Sequence, residues 1–218
     1  MSLKRSPSLW KHTEWARQYA SVRRQVVPRL VEHRRARRVE LGPNVTLLFE
    51  NRTTILAQIY EQAWAAGDIS VDAGERMRTE LRSLVPQPGE LLTTVFLQGE
   101  TDKVLSLSHD LTAYPGALRL HLPTGSCAGI NLDPTDTKAA VHFLRFRLPQ
   151  GPRLVTKNSG ARTRSWTLEL DSSLGLLAQT ISDALCNDLL NDADAPTSRT
   201  LPELVDLTQV IPSETTSS

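Results

Sequence analysis

The hydrophobic period of this chain changes once, close to residue 90, and that change limits the folds open to it. Before it, apolar residues recur at helical spacing. Trp15, Tyr19, Val22, Val26 and Leu30 fall 4, 3, 4 and 4 apart, which is one stripe of a helix. The stripe continues to His33 and Arg37. Pro28 lacks a backbone donor and crowds the preceding turn, so a kink or two abutting helices is expected near Val27. The breakers Gly42 and Pro43 end the segment at the latest. Val45–Phe49 fits a short strand or the first turn of a second helix. From Arg52 the pattern is helical, with Ile55, Leu56, Ile59, Tyr60 and Ala63 on the apolar face and Gly67 as the stop. Asp72 and Glu75 make a weak capping box for a third helix through Met77, Leu81 and Leu84.

Beyond that point the period is two. Thr93–Gln98 is rich in β-formers. Leu118, Leu120 and Leu122 alternate with Arg119 and His121. Over Ala140–Leu148, His142, Leu144, Phe146 and Leu148 share one face, while Val141, Phe143, Arg145 and Arg147 share the other. Trp166, Leu168 and Leu170 alternate with polar residues. Val104, Leu107 and Leu111 suit a short helix between strands. Ser172 or Ser173 is expected to cap a last helix carrying Leu174, Leu177, Ile181 and Leu185. Helices, then strands, then a helix predict an α+β fold: N-terminal helices packed on a mostly antiparallel sheet, with a C-terminal helix. The expected organisation is a flexible N-terminus over 1–8, a single domain over 9–192 and a disordered tail over 193–218. That tail is rich in Asp, Ala, Pro, Ser and Thr.

Composition narrows the function classes. Of 218 residues, 39% are hydrophobic, enough for a buried core. The net charge of +1 gives no global field for nucleic acid or membrane. No apolar run nears the roughly 20 residues of a membrane helix, and no secretory leader is evident. Cys127 and Cys186 stand far apart and form no CxxC pattern. A cytoplasmic location is the expectation. GxGxxG, Walker and GxSxG motifs are missing.

The segments Arg34-Arg35-Ala36-Arg37-Arg38-Val39-Glu40-Leu41-Gly42-Pro43, Leu48-Phe49-Glu50-Asn51-Arg52-Thr53-Thr54, Gln58-Ile59-Tyr60-Glu61 and Val141-His142-Phe143-Leu144-Arg145-Phe146 resemble a bacterial family. It is catalogued as domain of unknown function 3501. The resemblance spans Tyr19 to Asp188, and Phe-Glu-Asn-Arg-Thr is its most specific element. Members are often encoded beside rubrerythrin-like and iron–sulfur proteins, so the resemblance implies an iron or redox setting. Relatives carry an Asp-His pair followed by tyrosine near the end of the sheet. Here Asp171 is followed by Ser172 and Ser173, which puts any role of that histidine in doubt.

Candidate chemistry gathers on a few polar residues. Glu50, Thr54, Gln58 and Glu61 lie 4, 4 and 3 apart, forming one stripe if the helix begins at Glu50. Two carboxylates so placed bind a hard metal ion or act as acid and base, though a solvated helix face has the same pattern. His142, on an apolar strand face, is a ligand or proton carrier, or else a core histidine satisfied by hydrogen bonds; His33 is weighed the same way. The expected catalytic and metal-binding set is Glu50, Glu61 and His142, with a divalent metal such as iron or zinc as the candidate cofactor. Arg52, Gln58 and Arg145 are the expected substrate contacts, the arginines orienting an anionic small molecule. The expected function is an enzyme or small-molecule binder with a polar pocket between helices and sheet. The alternative is an accessory protein that docks on a redox or biosynthetic protein partner through Arg34, Arg35, Arg37 and Arg38. Nucleic acid is disfavoured, because no aromatic residues interleave with those arginines.

Overall fold

The computed structural model describes residues 12–66, 76, 79–80, 83–149 and 165–194. The chain is α+β, and it divides into two compact units. A helical unit takes α1 as far as His33, together with residues 52–85; a sheet unit takes residues 34–51 and 86–194. The expected loose N-terminus 1–8 and residues 195–218 of the expected tail lie outside the described residues, as do most of the third expected helix and Gly67. Arg76, Thr79, Glu80 and Ser83 of that helix are helical.

In the helical unit, α1 spans His12–Ala36 as one helix with Pro28 inside it, not two abutting ones. Its buried residues Tyr19, Val26 and Leu30 follow the stripe read from the sequence. The second helix, α2, spans Arg52–Ala66 and buries Ile55, Leu56, Ile59, Tyr60 and Ala63.

The arginine-rich helix stops at Ala36, short of Gly42. Strand β1 (Arg38–Glu40) pairs antiparallel with β2 (Val45–Glu50) across the Gly42-Pro43 turn. Arg37 makes the transition. Its backbone N–H closes the helix on Arg34 O at 3.1 Å, and its carbonyl accepts from Phe49 N–H at 3.0 Å. Its Nε donates to Phe49 O at 2.8 Å, and its terminal nitrogen pairs with Asp192. A buried guanidinium thus binds the strand edge instead of presenting charge to a partner. Gly42 has φ +79°, a conformation only glycine adopts freely, which lets the turn close.

The remaining strands are β3 (Glu90–Leu97), β4 (Leu118–Leu122), β5 (Gly125–Ala128), β6 (Ile130–Asn131), β7 (Val141–Arg147), β8 (Trp166–Ser172) and β9 (Gly175–Ile181). Helix α3 covers Thr101–Ala113 and α4 covers Asp183–Asp194. The strands form two antiparallel sheets, ordered β1-β2-β3-β7-β6 and β5-β4-β8-β9. Leu47, Phe49, Val95, Leu144 and Phe146 of the first sheet share one core with Leu118, Leu120, Leu168 and Leu170 of the second. Leu107 and Leu111 of α3 and Leu185 and Leu189 of α4 join that core. The period-two pattern is therefore a two-sheet sandwich, with alternate residues of β4, β7 and β8 turned inward.

Two sequence expectations fail here for local reasons. Ser172 and Ser173 do not cap a helix; they begin the β8–β9 hairpin, where Gly175 has φ +108°. The helix starts eight residues after Gly175, at Asp183, where Ser182 Oγ accepts from Leu185 N–H at 3.3 Å. Leu174, expected on a helical core face, is exposed in the hairpin. At its other end α4 runs through Ala193, which is buried and accepts Gly89 N–H at 3.0 Å, so residues 193 and 194, expected in the tail, are helical.

Gly129 is where the chain changes sheets. It follows β5 of the second sheet and precedes β6 of the first. A Cβ there would meet Leu144 Cδ2 and Phe146 Cζ, each at 3.0 Å. The corner needs a residue without a side chain so that the backbone can lie on those two core residues.

Candidate functional site

Register decides which of the expected site residues meet. Glu50 is the last residue of β2, not the first of a helix, so it leaves the stripe of Thr54, Gln58 and Glu61. Val45, Thr46 and Phe49 are β-formers, and pairing with β1 and β3 buries all six residues of Val45–Glu50 as a strand.

Within the sheet unit, Glu50 faces Leu92, and Leu92 faces Arg145. Directly opposed residues share a face, so Glu50 and Arg145 lie on the same side, two strands and about 10 Å apart. His142 pairs with Val95, and Val95 with Leu47, so it projects from the other side into the core. The sheet separates Glu50 from His142. The two thus cannot hold one ion together, and among the described residues no group of three or more His, Cys, Asp or Glu side chains is placed to do so.

His142 is buried and fully engaged. Asn131 Nδ2 donates to its Nδ1 at 3.2 Å, and its Nε2 lies 3.0 Å from both Ser108 Oγ and Ala139 O. Asn131 Oδ1 accepts from Asp133 N–H at 3.1 Å, which orients the amide with its NH₂ toward the histidine. The proton therefore sits on Nε2, facing Ser108, so His142 takes no proton from that serine. Burial lowers the pKa of the ring, favouring the neutral form. This is a polar staple joining β7, α3 and the segment after β6.

Glu50 is 5% exposed. Thr94 Oγ1 donates to one of its oxygens at 2.6 Å; the other, Oε2, has no hydrogen-bond partner among the described residues.

Glu61 belongs to the helical unit. Tyr19 donates to it, and Arg23 grips it with Nε at 3.0 Å and Nη2 at 2.9 Å. That hydrogen bond raises the Arg23 pKa. Tyr19 stacks on Tyr60 at 5.1 Å, and Arg23 lies 4.0 Å above the Trp64 ring. Glu61 thus ties α1 to α2. Arg52 opens α2 and Gln58 lies one turn before Glu61; both are half-buried. Of the arginines expected to dock a partner, Arg37 is buried, Arg34 is half-buried, and Arg35 and Arg38 are exposed.

What the sheet unit does assemble lies at a sandwich seam. β6 pairs with β7 only at Arg145 and Leu144 before the chain turns away at Gly129. Phe146 and Arg147 therefore lack a strand partner on that side among the described residues. The divergence of β5 from β7 opens a groove of about 600 Å³. Arg145 and Arg147 line it, with Ile130, Leu132 and Pro149 as apolar wall and Ser126, Cys127 and Ala128 along β5. Glu90 lies 3.5 Å from Arg145 Nε and 3.4 Å from Arg147 Nε. Arg147 is 82% exposed and free to turn toward a ligand. Cys127 is held as a thiol, its pKa pushed up to about 11 by burial.

Comparison with known proteins agrees with the sequence resemblance. The family model described as protein of unknown function (DUF3501) matches residues 11–189. The chain belongs to this family. A crystal structure of a novel protein of unknown function from Burkholderia pseudomallei K96243 is similar in fold, with a TM-score of 0.67. It is 24% identical, and the match covers 89% of this chain and 100% of that one. No curated protein matches. No helix among the described residues of this DUF3501 chain is long and apolar enough to cross a membrane.

Proposed function

We propose that this chain is a small-molecule binding protein whose ligand carries an anionic group held by Arg145 and Arg147. One observation carries the reading: the groove where β5 leaves β7 has a volume typical of small-molecule sites and is lined by two guanidinium side chains. Guanidinium groups offer paired donors that match carboxylate and phosphate oxygens. Glu90 lies beside both side chains at the groove. Arg145 is the member of the expected substrate contacts that supports this reading, and Arg147 joins it. Arg52 and Gln58 belong to the helical unit and contribute nothing to the argument. The reading calls for no metal.

Side-chain Nε–Hε resonances of Arg145 and Arg147, followed by NMR during titration with butanoate, test it. Both resonances are expected to move saturably. The Arg145→Gln variant is expected to bind at least about tenfold more weakly, the value of a charged hydrogen bond. Resonances that stay still, or equal affinity in the variant, would refute the proposal.

A further inference from the structure

We infer that the ligand of the seam groove carries a secondary amide beside its anionic group, as an N-acyl amino acid or the C-terminal residue of a peptide does. This rests on the anion-binding reading above and adds the chemistry next to the anion. A pattern of open backbone groups carries it.

On β7, Leu148 N–H donates to Gly89 O at 2.9 Å and Ala140 O accepts from Leu97 N–H at 2.8 Å, so even-numbered residues turn their polar backbone toward β3. Odd-numbered residues turn theirs the other way. Phe143 O accepts from Leu132 N–H at 2.8 Å, and Arg145 pairs with Ile130. Arg147 is next in that series. On β5, Gly129 N–H donates to Leu118 O at 2.8 Å, and the β4–β5 register runs back from there through Cys127 to Gly125. Odd-numbered residues of β5 therefore face β4, while Ser126 and Ala128 turn their backbone groups away from it.

The pairing of β6 with β7 shows what is missing. Ile130 stands opposite Arg145, so the next hydrogen-bonded pair in that register would be Ala128 with Arg147. The chain turns away at Gly129 and the ladder ends first. The backbone N–H and C=O of Ala128 and of Arg147 have no partner among the described residues, and both residues line the groove.

A trans secondary amide complements such a pair. The group is planar, with its N–H and C=O pointing in opposite directions, so it donates to a carbonyl on one strand and accepts an N–H from the other. This is strand addition reduced to a single peptide unit. Arg147 supplies both open backbone groups and one guanidinium of the groove, so amide and anion belong close together on the ligand.

The test compares N-acetylalaninate with O-acetyllactate, the ester that lacks the amide N–H, and with butanoate, which lacks the whole amide. Affinities are measured by calorimetry, and the backbone amide resonances of Ala128 and Arg147 are followed by NMR. N-acetylalaninate is expected to bind about tenfold more tightly than the ester, the value of one well-made hydrogen bond, and to move both backbone resonances. Butanoate should move the arginine side-chain resonances alone. Changing the ligand leaves the fold untouched, so no variant can mislead by failing to fold. Acetyl-tetraalanine with a free C-terminus separates the two sources of this chemistry: tighter binding than N-acetylalaninate supports a peptide terminus, weaker binding a free acyl amino acid. Equal affinity for N-acetylalaninate and its ester, with both backbone resonances still while butanoate binds, would overturn the amide and leave the anion site standing. Silence toward butanoate and N-acetylalaninate alike would overturn both.

Discussion

Replacing Gly129 with alanine should weaken the sheet unit measurably. The added Cβ would lie 3.0 Å from Leu144 Cδ2 and 3.0 Å from Phe146 Cζ, closer than carbon atoms approach without displacement. Leu144 and Phe146 are 1% and 0% exposed within the shared core, so a shift of either side chain must displace packed neighbours. Forcing a methyl group into a packed interior costs about 1–3 kcal/mol. Gly129 does not need the left-handed conformation, so alanine also removes freedom from the unfolded chain, which offsets about 0.4–1 kcal/mol. Mid-range values, about 2 less about 0.7, leave a net loss of about 1.3 kcal/mol. Urea denaturation with an m-value of about 2 kcal/mol/M should then show a midpoint lower by about 0.5–1 M, with unchanged slope. Combining Gly129→Ala with Phe146→Leu should cost less than the sum of the two single changes, since the smaller side chain vacates the contact. A midpoint equal to or above that of the unmodified protein would refute the claim that the corner is packed against these residues.

Other perturbations probe separate parts of the molecule. Arg37→Ala removes the ion pair to half-buried Asp192, leaving it the 3.5 Å contact of Asn51 Nδ2, and removes the Nε donor to Phe49 O, so about 2 kcal/mol should be lost in chemical denaturation. If Arg37 were a docking residue, its removal would leave stability alone. The pKa of His142 is held below its ordinary 6.5 by burial, so the unfolded chain takes up a proton that the folded chain resists. Stability should therefore fall as pH drops below about 6.5, and His142→Gln should show a shallower fall over that window in thermal melts. Asp110 is buried in α3 and accepts hydrogen bonds at 2.8 Å from both the N–H and the Oγ of Ser173. Ser173→Ala should cost about 1 kcal/mol and speed proteolysis at the β8–β9 turn, whereas an untethered hairpin would show neither effect.

Periodicity carried much of the fold in the sequence. Alternation in Ala140–Leu148 placed Arg145 and Arg147 on the side away from Leu144 and Phe146, as the register shows. The stripe of Ile55, Leu56, Ile59, Tyr60 and Ala63 is the buried side of α2. What stayed hidden was whatever depends on distant pairing. Val45–Glu50 is short enough to suit either period, and only its pairing with β1 and β3 decides that Glu50 is a strand residue. The hairpin at Ser172–Gly175 looked like a helix start because serine serves both turns and caps. The seam groove exists because β5 and β6 join different sheets, a property of topology for which a single glycine is the sole local sign. Likewise, spacing along the chain offered no way to learn that the sheet itself stands between Glu50 and His142.

The link between Arg37 and Asp192 bridges 155 residues, and the strand it supports waits for a partner that arrives only after the helical insertion at 52–85. A polypeptide leaving the ribosome therefore exposes β2, with its hydrocarbon side and one bare edge, well before β3 emerges and longer still before the last helix. Closure of this sandwich is a late, non-local event, and its rate should respond more to where translation pauses than to any one contact inside the finished core.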